Sequence, residues 1–566
     1  MSRFFLLGSL ALLPLVANAQ TRVSIPQIQG STDASPLAGQ RVDTTGTITS
    51  IFPEMRGFYL QDPEGDGNPQ TSDGIFVYLG TRPTTFPTFK VGDSVEIAGG
   101  VQEFHDQTQI GPLSALKVLG QGEAVAPVDI PFPLPLADRE KYEGMLVRLS
   151  SPMVVTDNYP LSRYGSITLA SGGRVFVPSN GTDGDPDSDA RTLVVDDGSN
   201  KQNPVPVPFV NAQNTLRAGS QITGATGIMG FDFKAFRLIP TVPLAFEDSN
   251  PRPLTAPVVG GNVKIASANL HNYWTTLKDD AHPDARGAST PAEFESQSAK
   301  IVAELKGLDA DAVALMELEN NGDGAPDDAV GLLEPENHSA GAIDDLVTRL
   351  NKAYGKTEYA KVPAPANGYG TDKIRVGMIY KPARLQLVGP SQSSADAIFE
   401  RFPLAQTFSF GKTTFTLVAN HWKSKGSGPD TGDVDTGQGA WNKKRVQQAA
   451  ATLKFVQTLA QPNVLLLGDF NAYTEEDPLK ALRAAGMKHL NLRLPADERY
   501  SFGFGGKFGS LDHALASDSM DKLATGFAEW HINSDEPEFE LEQSVGTPFR
   551  ASDHDPFLVG LNLPTE

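Results

Sequence analysis

The chain has 566 residues and a hydrophobic content of 39%, which is enough for two or three folded domains. It contains no cysteine, so thiol catalysis, disulfide bonds and a thiolate zinc site are all excluded. Its formal net charge of -21 argues against a protein that binds nucleic acid over its whole surface, so any recognition of phosphate must be local.

The amino terminus has the pattern of a cleavable export signal. Arg3 precedes an apolar run from Phe4 to Val16, and the small residues Ala17 and Ala19 follow. The run is shorter than the roughly 20 residues that a membrane span needs, and no later segment is long and apolar enough to be one. We therefore expect a signal peptide over residues 1–19, a periplasmic or extracellular protein, and no membrane insertion.

Residues 20–250 show short β runs separated by Gly, Pro and Asp. The spacing predicts a small antiparallel barrel or sandwich over residues 20–124. A similar but looser order over 125–250 predicts a second β module, which is a candidate degenerate repeat of the first. The Pro- and Gly-rich stretch 251–261 is typical of a linker, and a further domain is expected over 262–566.

Two acidic stretches interrupt the β modules. Closely spaced carboxylates in a loop can bind Ca²⁺, but neither stretch completes the twelve-residue loop with its terminal Glu. Solvated turns are the commoner explanation, and Ca²⁺ is the alternative. The residues concerned are Asp62, Glu64, Asp66, Asn68 and Asp73 in the first stretch, and Asp183, Asp185, Asp187 and Asp189 in the second.

After the linker, helical periodicity alternates with apolar strands. Thr290 and Pro291 are typical of a helix start, and further helices are predicted around Ile343–Tyr354 and Val446–Leu453. The strand candidates are VKIASAN, AVALMEL, IRVGMIY, TFTLVAN, NVLLLGD, LDHALAS and PFLVGL. This alternation predicts an α/β domain in which helices are layered on β-sheet.

Polar residues mark the ends of these strands. Four strands have acid, amide or imidazole at their exit: Asn269, Glu317, Asn420 with His421, and Asp469 with Asn471. Two others carry such residues at their start: Asp512, and Asp553 with His554. If the last two strands run antiparallel to the others, all these groups meet on one rim.

The chemistry of this set suits hydrolysis of a phosphate ester. Carboxylate and amide oxygens such as those of Glu317, Asn269 and Asp553 are typical ligands of Mg²⁺ or Mn²⁺. The ion would polarise the phosphoryl oxygen and offset charge on the leaving oxygen.

The attacking water also needs a base. His554 held by Asp512 is one candidate, and Asp469 is the other. His421 is a candidate for protonating the leaving group or binding a phosphate.

A basic and aromatic cluster follows His421. Lys423, Asn442 and Arg445 are candidates for binding the phosphodiester backbone, with Trp441 between them. The alternative for the stretch 441–445 is a solvated helix start.

These motifs together resemble the endonuclease/exonuclease/phosphatase superfamily, the DNase I-like fold, and within it the secreted bacterial extracellular nucleases. The markers, which span most of Val258 to Leu563, are ASANLHNYW, ALMELEN, IRVGMIYKP, NHWKSKG, GQGAWNKKR, LLLGDFNAY, GSLDHALAS and SDHDP. The resemblance implies a four-layered α/β sandwich that acts as a metal-dependent nuclease.

The resemblance also implies a role for each residue. Glu317 would bind the metal with Asn269 and Asp553 nearby. Asp469 and Asn471 would orient water and phosphate. Asp512 and His554 would form an Asp-His pair, with His421 as the second histidine.

The first β module resembles the OB-like modules that precede such catalytic domains, through SPLAGQRVDTTGTITSI and GFYLQDPEGDGNPQTSDGIFVY. Phe58, Tyr59 and Phe76 are available there for stacking on single-stranded nucleic acid, although the neighbouring charge is mostly acidic. A structural or protein-docking role is the alternative.

The function expected from the sequence is therefore an exported nuclease that acts on DNA, with RNA as a further substrate. A phosphomonoesterase or phospholipid-headgroup hydrolase on the same scaffold is the first alternative, because fold and metal centre do not fix the substrate. A non-catalytic binding protein is the second, although no expected site residue is missing. No obligate protein partner is indicated.

Overall fold

The computed structural model describes residues 22–81, 86–180, 187–321 and 341–564. The predicted signal peptide lies outside these residues, as do Asp183 and Asp185 of the second acidic stretch. The chain divides into two compact units, the first comprising Met1–Ser150, Gly198–Asn200 and Ala225–Val242, and the second Ser151–Asp197, Lys201–Gly224 and Pro243–Glu566. The stretch 125–250, predicted as one module, is thus shared between both units, and the domain boundaries read from the sequence stay a prediction.

The first unit contains a closed five-stranded barrel. A short helix, Ile25–Gln29, precedes it, and the first strand pairs antiparallel with the second and the fourth. Around the barrel the strands follow the order Arg41–Phe52, Gly57–Gln61, Gly74–Tyr78, Gln107–Gln121 and Asp93–Phe104. The closed barrel agrees with the small antiparallel barrel or sandwich predicted for this region, except that Gly74–Tyr78 and Gln107–Gln121 pair parallel.

The aromatic residues considered for stacking on single strands do not face solvent. Phe58 and Tyr59 are fully buried, and Phe76 is almost so. Phe58 packs with the apolar residues of the barrel core, whereas Tyr59 and Phe76 pack against each other in a separate cluster. Stacking on single strands is therefore contradicted for these three side chains, and their burial agrees with the structural role that was the alternative.

The first acidic stretch forms ordinary turns. One carboxylate oxygen of Asp62 accepts the backbone N–H groups of Glu64 and Gly65, and Asp66 accepts that of Asn68. These contacts match the solvated-turn interpretation, and Ca²⁺ binding stays a prediction.

The other strands of the first unit form antiparallel and parallel pairs beside the barrel. They are Val128–Ile130, Leu146–Leu149, Thr226–Asp232 and Ala235–Pro240, with 3₁₀ turns at Leu136–Asp138 and Glu140–Tyr142.

The second unit begins with an antiparallel group of short strands. Its strands are Met153–Asp157, Ser166–Ser171, Thr192–Asp196 and Gln221–Ile222. Its short helical segments are Leu161–Tyr164, Pro178–Asn180 and Ser188–Arg191. One further strand, Val175–Phe176, pairs parallel with Lys507–Gly509, which in turn pairs antiparallel with Phe502–Phe504.

Two six-stranded sheets form the centre of the second unit. In spatial order the first contains Ala360–Lys361, Ile374–Tyr380, Ala312–Glu319, Val263–Tyr273, Phe557–Leu561 and Ala524–Glu529. The second contains Gln386–Ser393, Leu404–Phe410, Thr413–His421, Val464–Asp469, Asp512–Ala516 and Lys488–His489.

Helices cover the outer faces of both sheets. Phe294 and Leu346, from the helices Pro291–Leu308 and Ala342–Tyr354, are buried with residues of the first sheet. Ala449 and Leu482, from the helices Asn442–Thr458 and Asp477–Ala484, are buried with residues of the second. Three of these helices were predicted, and Asp477–Ala484 was not. The remaining helical segments are Leu490–Arg493, Asp518–Asp521 and Glu538–Glu542.

Apolar side chains from the facing surfaces of the two sheets form one core. Ile265 and Met316 of the first sheet belong to the same buried cluster as Phe415 and Leu467 of the second. The order is therefore helix, sheet, sheet, helix, and the four-layered α/β sandwich is confirmed.

The helix Pro291–Leu308 begins as its sequence predicts. The Thr290 hydroxyl accepts the N–H of Glu293 at 3.2 Å, and the Glu293 carboxylate accepts the N–H of Ser289 at 2.8 Å. Within the described part of the chain, no helix combines the length and apolar character that crossing a membrane requires.

Strand direction brings the polar ends together. Thr413–His421 runs parallel to Val464–Asp469, which is antiparallel to Asp512–Ala516. In the other sheet Val263–Tyr273 runs parallel to Ala312–Glu319 and antiparallel to Phe557–Leu561. The two late strands thus run antiparallel to these neighbours, which is the condition under which the polar groups meet on one rim.

Candidate active site

A buried aspartate holds one histidine at the rim of the second sheet. Asp512 Oδ2 lies 2.7 Å from His554 Nδ1 and also accepts the Ser501 hydroxyl at 2.7 Å. Since Nδ1 faces the carboxylate, it carries the proton, and Nε2 is the nitrogen left for chemistry. The structure thus contains the pair of Asp512 and His554 that was predicted from the motifs LDH and SDHDP.

Asp469 lies beside this pair and is oriented by Asn471. The backbone N–H and the side-chain amide of Asn471 donate to the two Asp469 oxygens at 2.7 and 3.1 Å. Asn471 has a positive φ of 49°, a conformation that Asn tolerates better than most residues. The GDFN turn therefore fixes the Asp469 carboxylate at the end of its strand.

Glu317 lies at the end of the neighbouring sheet in a similarly unusual conformation. Its φ is 64°, and its Oε2 accepts the N–H of Asn272 at 2.9 Å. Asn269 donates to Oε1 at 3.3 Å and accepts the N–H of His271 at 2.9 Å. Asn269 thus orients Glu317 from behind, and Glu317 faces the site.

Asp553 contacts a histidine that the sequence interpretation did not select. Its Oδ1 lies 3.0 Å from His271 Nδ1. Burial acts to raise the pKa of Asp553, but His271, His554 and Arg550 outweigh it and lower that pKa below its usual range. Asp553 is therefore a carboxylate at any ordinary pH.

His421 faces two carboxylates from the other side. Its Nε2 lies 3.5 Å from Asp469 Oδ2 and 4.0 Å from Glu317 Oε1, whereas its Nδ1 has no hydrogen-bond partner among the described residues. Burial lowers its pKa well below the ordinary value, and the positive charge of Arg401 adds to the effect. His421 is thus neutral with its proton on Nε2, which suits hydrogen bonding better than proton donation.

The environment moves the pKa of His554 and that of Asp469 upward. Burial acts to lower the pKa of His554, but Asp512, Asp553 and Asp469 raise it well above its ordinary value. Burial raises the pKa of Asp469 to about 7, and Asp512 adds to the rise. Negative charge is therefore in excess here, which is the condition that a bound cation relieves.

These groups open into one cleft of about 690 Å³. Of the predicted residues, those lining it are Glu317, His421, Asp469, Asn471, Asp553 and His554. Asn269 and Asp512 lie behind this layer and hold Glu317 and His554. Eight of the eleven predicted site residues thus belong to one constellation.

The three residues predicted to bind phosphate are not among those lining the cleft. Arg445 is fully buried and donates to the carbonyls of Gln438, Ala440 and Lys423 at 2.7 to 3.2 Å. Its interpretation as a phosphate ligand was wrong, because its donors hold the loop before its own helix. Asn442 donates to Asp477 at 3.2 Å, and the Lys423 ammonium lies 5.3 Å from the centre of the Trp441 ring.

Several cleft residues escaped the sequence interpretation. They include Arg286, Arg401, Phe502, Phe504 and Lys507. Lys425, which belongs to the basic cluster of the NHWKSK motif, also lines the cleft and pairs with Glu476 at 2.6 Å. Arg286 and the phenylalanines lie outside the strand ends on which the prediction depended.

The residues present fit a hard divalent cation. Oxygen donors from Glu317, Asp469 and Asp553 line one cleft, and ligand atoms of Asp469, Asp512 and His554 lie within 4.8 Å of one another. Carboxylate oxygens are the preferred ligands of Mg²⁺ and Mn²⁺.

A four-layered α/β sandwich with a carboxylate- and histidine-lined cleft defines the class of phosphoester hydrolases that the sequence motifs suggested. The chain belongs to the Endonuclease/Exonuclease/phosphatase family, whose model matches residues 266–554.

Comparison with individual proteins gave matches among solved structures. The structure of D. rerio TDP2 complexed with single strand DNA product is 15% identical, with 53% of this chain and 99% of that chain covered and a TM-score of 0.34. The human Nocturnin catalytic domain with bound sulfate is 15% identical, with 53% and 95% covered and a TM-score of 0.33. The Bacteroides thetaiotaomicron mannosyl-6-phosphatase is 14% identical, with 53% and 100% covered and a TM-score of 0.33. No curated protein sequence matches the chain significantly.

Proposed function

We propose that this protein is an exported, divalent-metal-dependent phosphodiesterase that hydrolyses nucleic acid, with DNA as its main substrate and RNA as a further one. The observation that carries the proposal is the His554–Asp512 pair, with its 2.7 Å contact, in the same cleft as Glu317, Asp469 and Asp553. Hydrolysis of a phosphodiester by water needs a group that moves a proton and a cluster that stabilises charge on phosphate. This cleft contains residues suited to both.

Proton transfer depends on His554 or Asp469. Asp512 holds the Nδ1 proton of His554, and the raised pKa keeps Nε2 protonated too, so His554 can give a proton to a leaving oxygen. It would take a proton from water once a bound cation offsets the charge of the nearby carboxylates. Asp469 is the competing base, since Asn471 fixes its carboxylate 3.5 Å from His421. Both residues line the cleft, and both remain candidates for the base.

A bound Mg²⁺ or Mn²⁺ would polarise the phosphoryl oxygen and offset charge on the leaving oxygen. Glu317 and Asp553 would hold it, with Asn269 orienting the Glu317 carboxylate at 3.3 Å. His421 would donate a hydrogen bond from Nε2 at the same place, because its lowered pKa keeps it neutral.

Positive charge in the cleft supports a polyanionic substrate despite the net charge of -21. Arg286, Lys425 and Lys507 line the cleft with the catalytic groups. Lys425 is already paired with Glu476, and Arg286 lies 3.5 Å from Asp372, which makes Lys507 the better phosphate contact. The size of the cleft, about 690 Å³, suits a substrate longer than one phosphate group.

The test is nicking of supercoiled plasmid by the purified mature protein. Wild type should nick the plasmid with Mg²⁺ or Mn²⁺ and stop when EDTA is in excess, and His554→Ala should be inactive. His282→Ala is the matched control, because His282 forms a 3.0 Å pair with Asp279 on the surface. If plasmid stays intact while small phosphate monoesters or phospholipids are hydrolysed, the nucleic-acid assignment is wrong.

Export has its own test. The full chain should appear outside the cytoplasm with a mature amino terminus near Gln20, as determined by mass spectrometry. Retention of residues 1–19 in a cytoplasmic product would contradict the signal-peptide assignment.

A further inference from the structure

A tight aromatic hairpin forms part of the cleft wall. Strand Phe502–Phe504 pairs antiparallel with Lys507–Gly509. Gly505 and Gly506 connect them with φ values of 56° and 73°, the left-handed conformation that a two-residue hairpin turn requires. The turn therefore fixes how the two strands, and the side chains they carry, face the cleft.

Two phenylalanine rings on this hairpin line the cleft, and that of Phe502 lies against His554. The rings of Phe502 and Phe504 are nearly parallel, at 9°, with centres 6.4 Å apart, and the Phe502 ring is 4.7 Å from that of His554. Both line the cleft, and Phe504 is 75% exposed. Phe508, on the partner strand, is buried instead. Parallel rings, of which that of Phe504 is exposed and that of Phe502 half-buried beside His554, form a surface for a planar aromatic ligand.

A segment from before the predicted linker holds this hairpin in place. Strand Val175–Phe176 pairs parallel with Lys507–Gly509, and Val177 N–H donates to the Phe508 carbonyl at 2.9 Å. The buried Thr156 hydroxyl donates to the Gly506 carbonyl at 2.7 Å and accepts the Val175 N–H at 3.1 Å. One hydroxyl thus ties the tip of the hairpin to its third strand.

The same segment fixes the base of the hairpin. Asn180 is fully buried, accepts the Ser510 N–H at 3.0 Å and donates to the Arg499 carbonyl at 2.7 Å. Val177 and Ser179, just before it, line the cleft themselves. The segment is therefore part of the cleft wall and not only a connection to the barrel.

From these contacts we infer that residues 156–180 position the hairpin so that Phe502 and Phe504 stack on an unpaired nucleobase beside the reacting phosphate. The inference rests on the proposed function and specifies its substrate as single-stranded or locally opened nucleic acid. In a duplex both faces of a base are already stacked, so only an unstacked base can lie against these rings. Lys507 on the same hairpin lies in the cleft, where it can contact a neighbouring phosphate.

The first test compares two single-stranded substrates of equal length and charge. One is an oligothymidylate, and the other carries the same phosphates on abasic tetrahydrofuran units. Phe504→Ala should lower the ratio of kcat/KM on the thymidylate to kcat/KM on the abasic strand by about tenfold, because one stacked base is lost. Phe504→Trp should restore the ratio.

Tyr164→Ala is the matched control, since Tyr164 is 47% exposed and is not among the residues lining the cleft. Its ratio should equal that of wild type. If Phe504→Ala leaves the ratio unchanged, the stacking inference is overturned.

The second test addresses the positioning role of Thr156. Thr156→Val keeps the shape of the side chain but removes its hydroxyl, and it should lower the same ratio, whereas Thr156→Ser should preserve it. A loss of thermal stability without any change in the ratio would mean that Thr156 is only structural, and the positioning role would be wrong.

Different results would contradict the proposed nuclease function and the stacking inference. If wild type with Mg²⁺ or Mn²⁺ cleaves neither strand, the proposed nuclease function falls, and this inference falls with it. If wild type cleaves both strands and all variants show one ratio, the nuclease function stands and the inference alone is wrong.

Discussion

Asp469 and Asp512 lie directly opposite each other on neighbouring antiparallel strands, and both are buried. Like charges at such positions destabilise a sheet. His554 contacts Asp512 at 2.7 Å, and the pKa of Asp469 is raised to about 7 by burial and then by Asp512. The two opposed carboxylates, Asp469 and Asp512, therefore lower the stability of the sheet, and the chemistry of the site explains why they are there.

Asp512→Asn should reduce plasmid nicking by about 100-fold or more, the range expected when a proton-transferring group loses its support. The amide no longer offsets a positive charge on His554. Initial rates at saturating metal measure the effect, with the melting temperature as a check on folding.

Ser501→Ala is the control for that experiment, because it keeps the Asp512 carboxylate and removes the 2.7 Å hydrogen bond to it, together with the bonds that the hydroxyl accepts from the N–H groups of Leu511 and Asp512. Its activity should fall far less. Equal losses in both variants would assign Asp512 a structural role.

Glu317→Gln should weaken binding of Mg²⁺ or Mn²⁺ by about tenfold or more and lower activity with it. The carboxylate charge disappears, while the hydrogen bond from Asn272 to the side-chain oxygen is kept. Calorimetric titration of the protein with metal measures the affinity directly. Glu293→Gln, on the exposed start of a helix, should bind metal like wild type. Unchanged metal affinity in Glu317→Gln would remove Glu317 from the metal site.

Substitution of Arg445 should lower the stability of the protein, whereas substitution of Lys423 should leave it nearly unchanged. Arg445→Met should destabilise the second unit by about 2–4 kcal/mol, because one buried and two partly buried carbonyls lose their donors. Lys423→Ala should leave the melting temperature nearly unchanged, since its ammonium is partly exposed. Thermal denaturation measures the change in stability, and the salt dependence of KM on DNA measures any contribution to phosphate binding. A raised KM for Arg445→Met at unchanged stability would restore the phosphate-binding interpretation.

The site could be predicted from the sequence where it depends on strand ends. Glu317, His421 and Asp469 each end an apolar run, and Asp512 and His554 each lie at or near the start of one. Neighbouring strands of known direction place such residues on one rim, so local pattern and sheet topology are sufficient.

The remaining cleft residues depend on tertiary neighbours that a sequence pattern does not contain. Phe504 alternates with glycine in a segment too short to stand out as an apolar run. Its place in the cleft depends on the hairpin that it forms with Lys507, and that hairpin pairs with residues more than 300 positions earlier. Arg445 follows two lysines and has the pattern of a solvated helix start, whereas the fold buries it. Burial of a single arginine depends on the loop that packs over it, which periodicity does not predict.

Glu304→Gln should make the protein more stable than wild type at high pH. Burial raises the pKa of Glu304 to about 8, and the charge of Asp555 adds to the rise. One of its oxygens accepts the Asn533 amide at 3.1 Å, and the other has no partner among the described residues, as suits a protonated acid. The folded protein therefore keeps a proton that the unfolded chain releases at lower pH.

The direction of the pH dependence of stability follows from this difference in proton binding. Between the ordinary pKa of Glu and about 8 the folded state binds more protons than the unfolded state, so stability falls as pH rises through this window. Glutamine has no proton to lose, and the stability difference between Glu304→Gln and wild type should grow by about 2–4 kcal/mol from pH 5 to pH 9. Urea denaturation at a series of pH values measures it. Glu293→Gln, on the exposed first turn of the same helix, should follow the wild-type curve. Parallel curves for Glu304→Gln and wild type would show that Glu304 is ionised throughout.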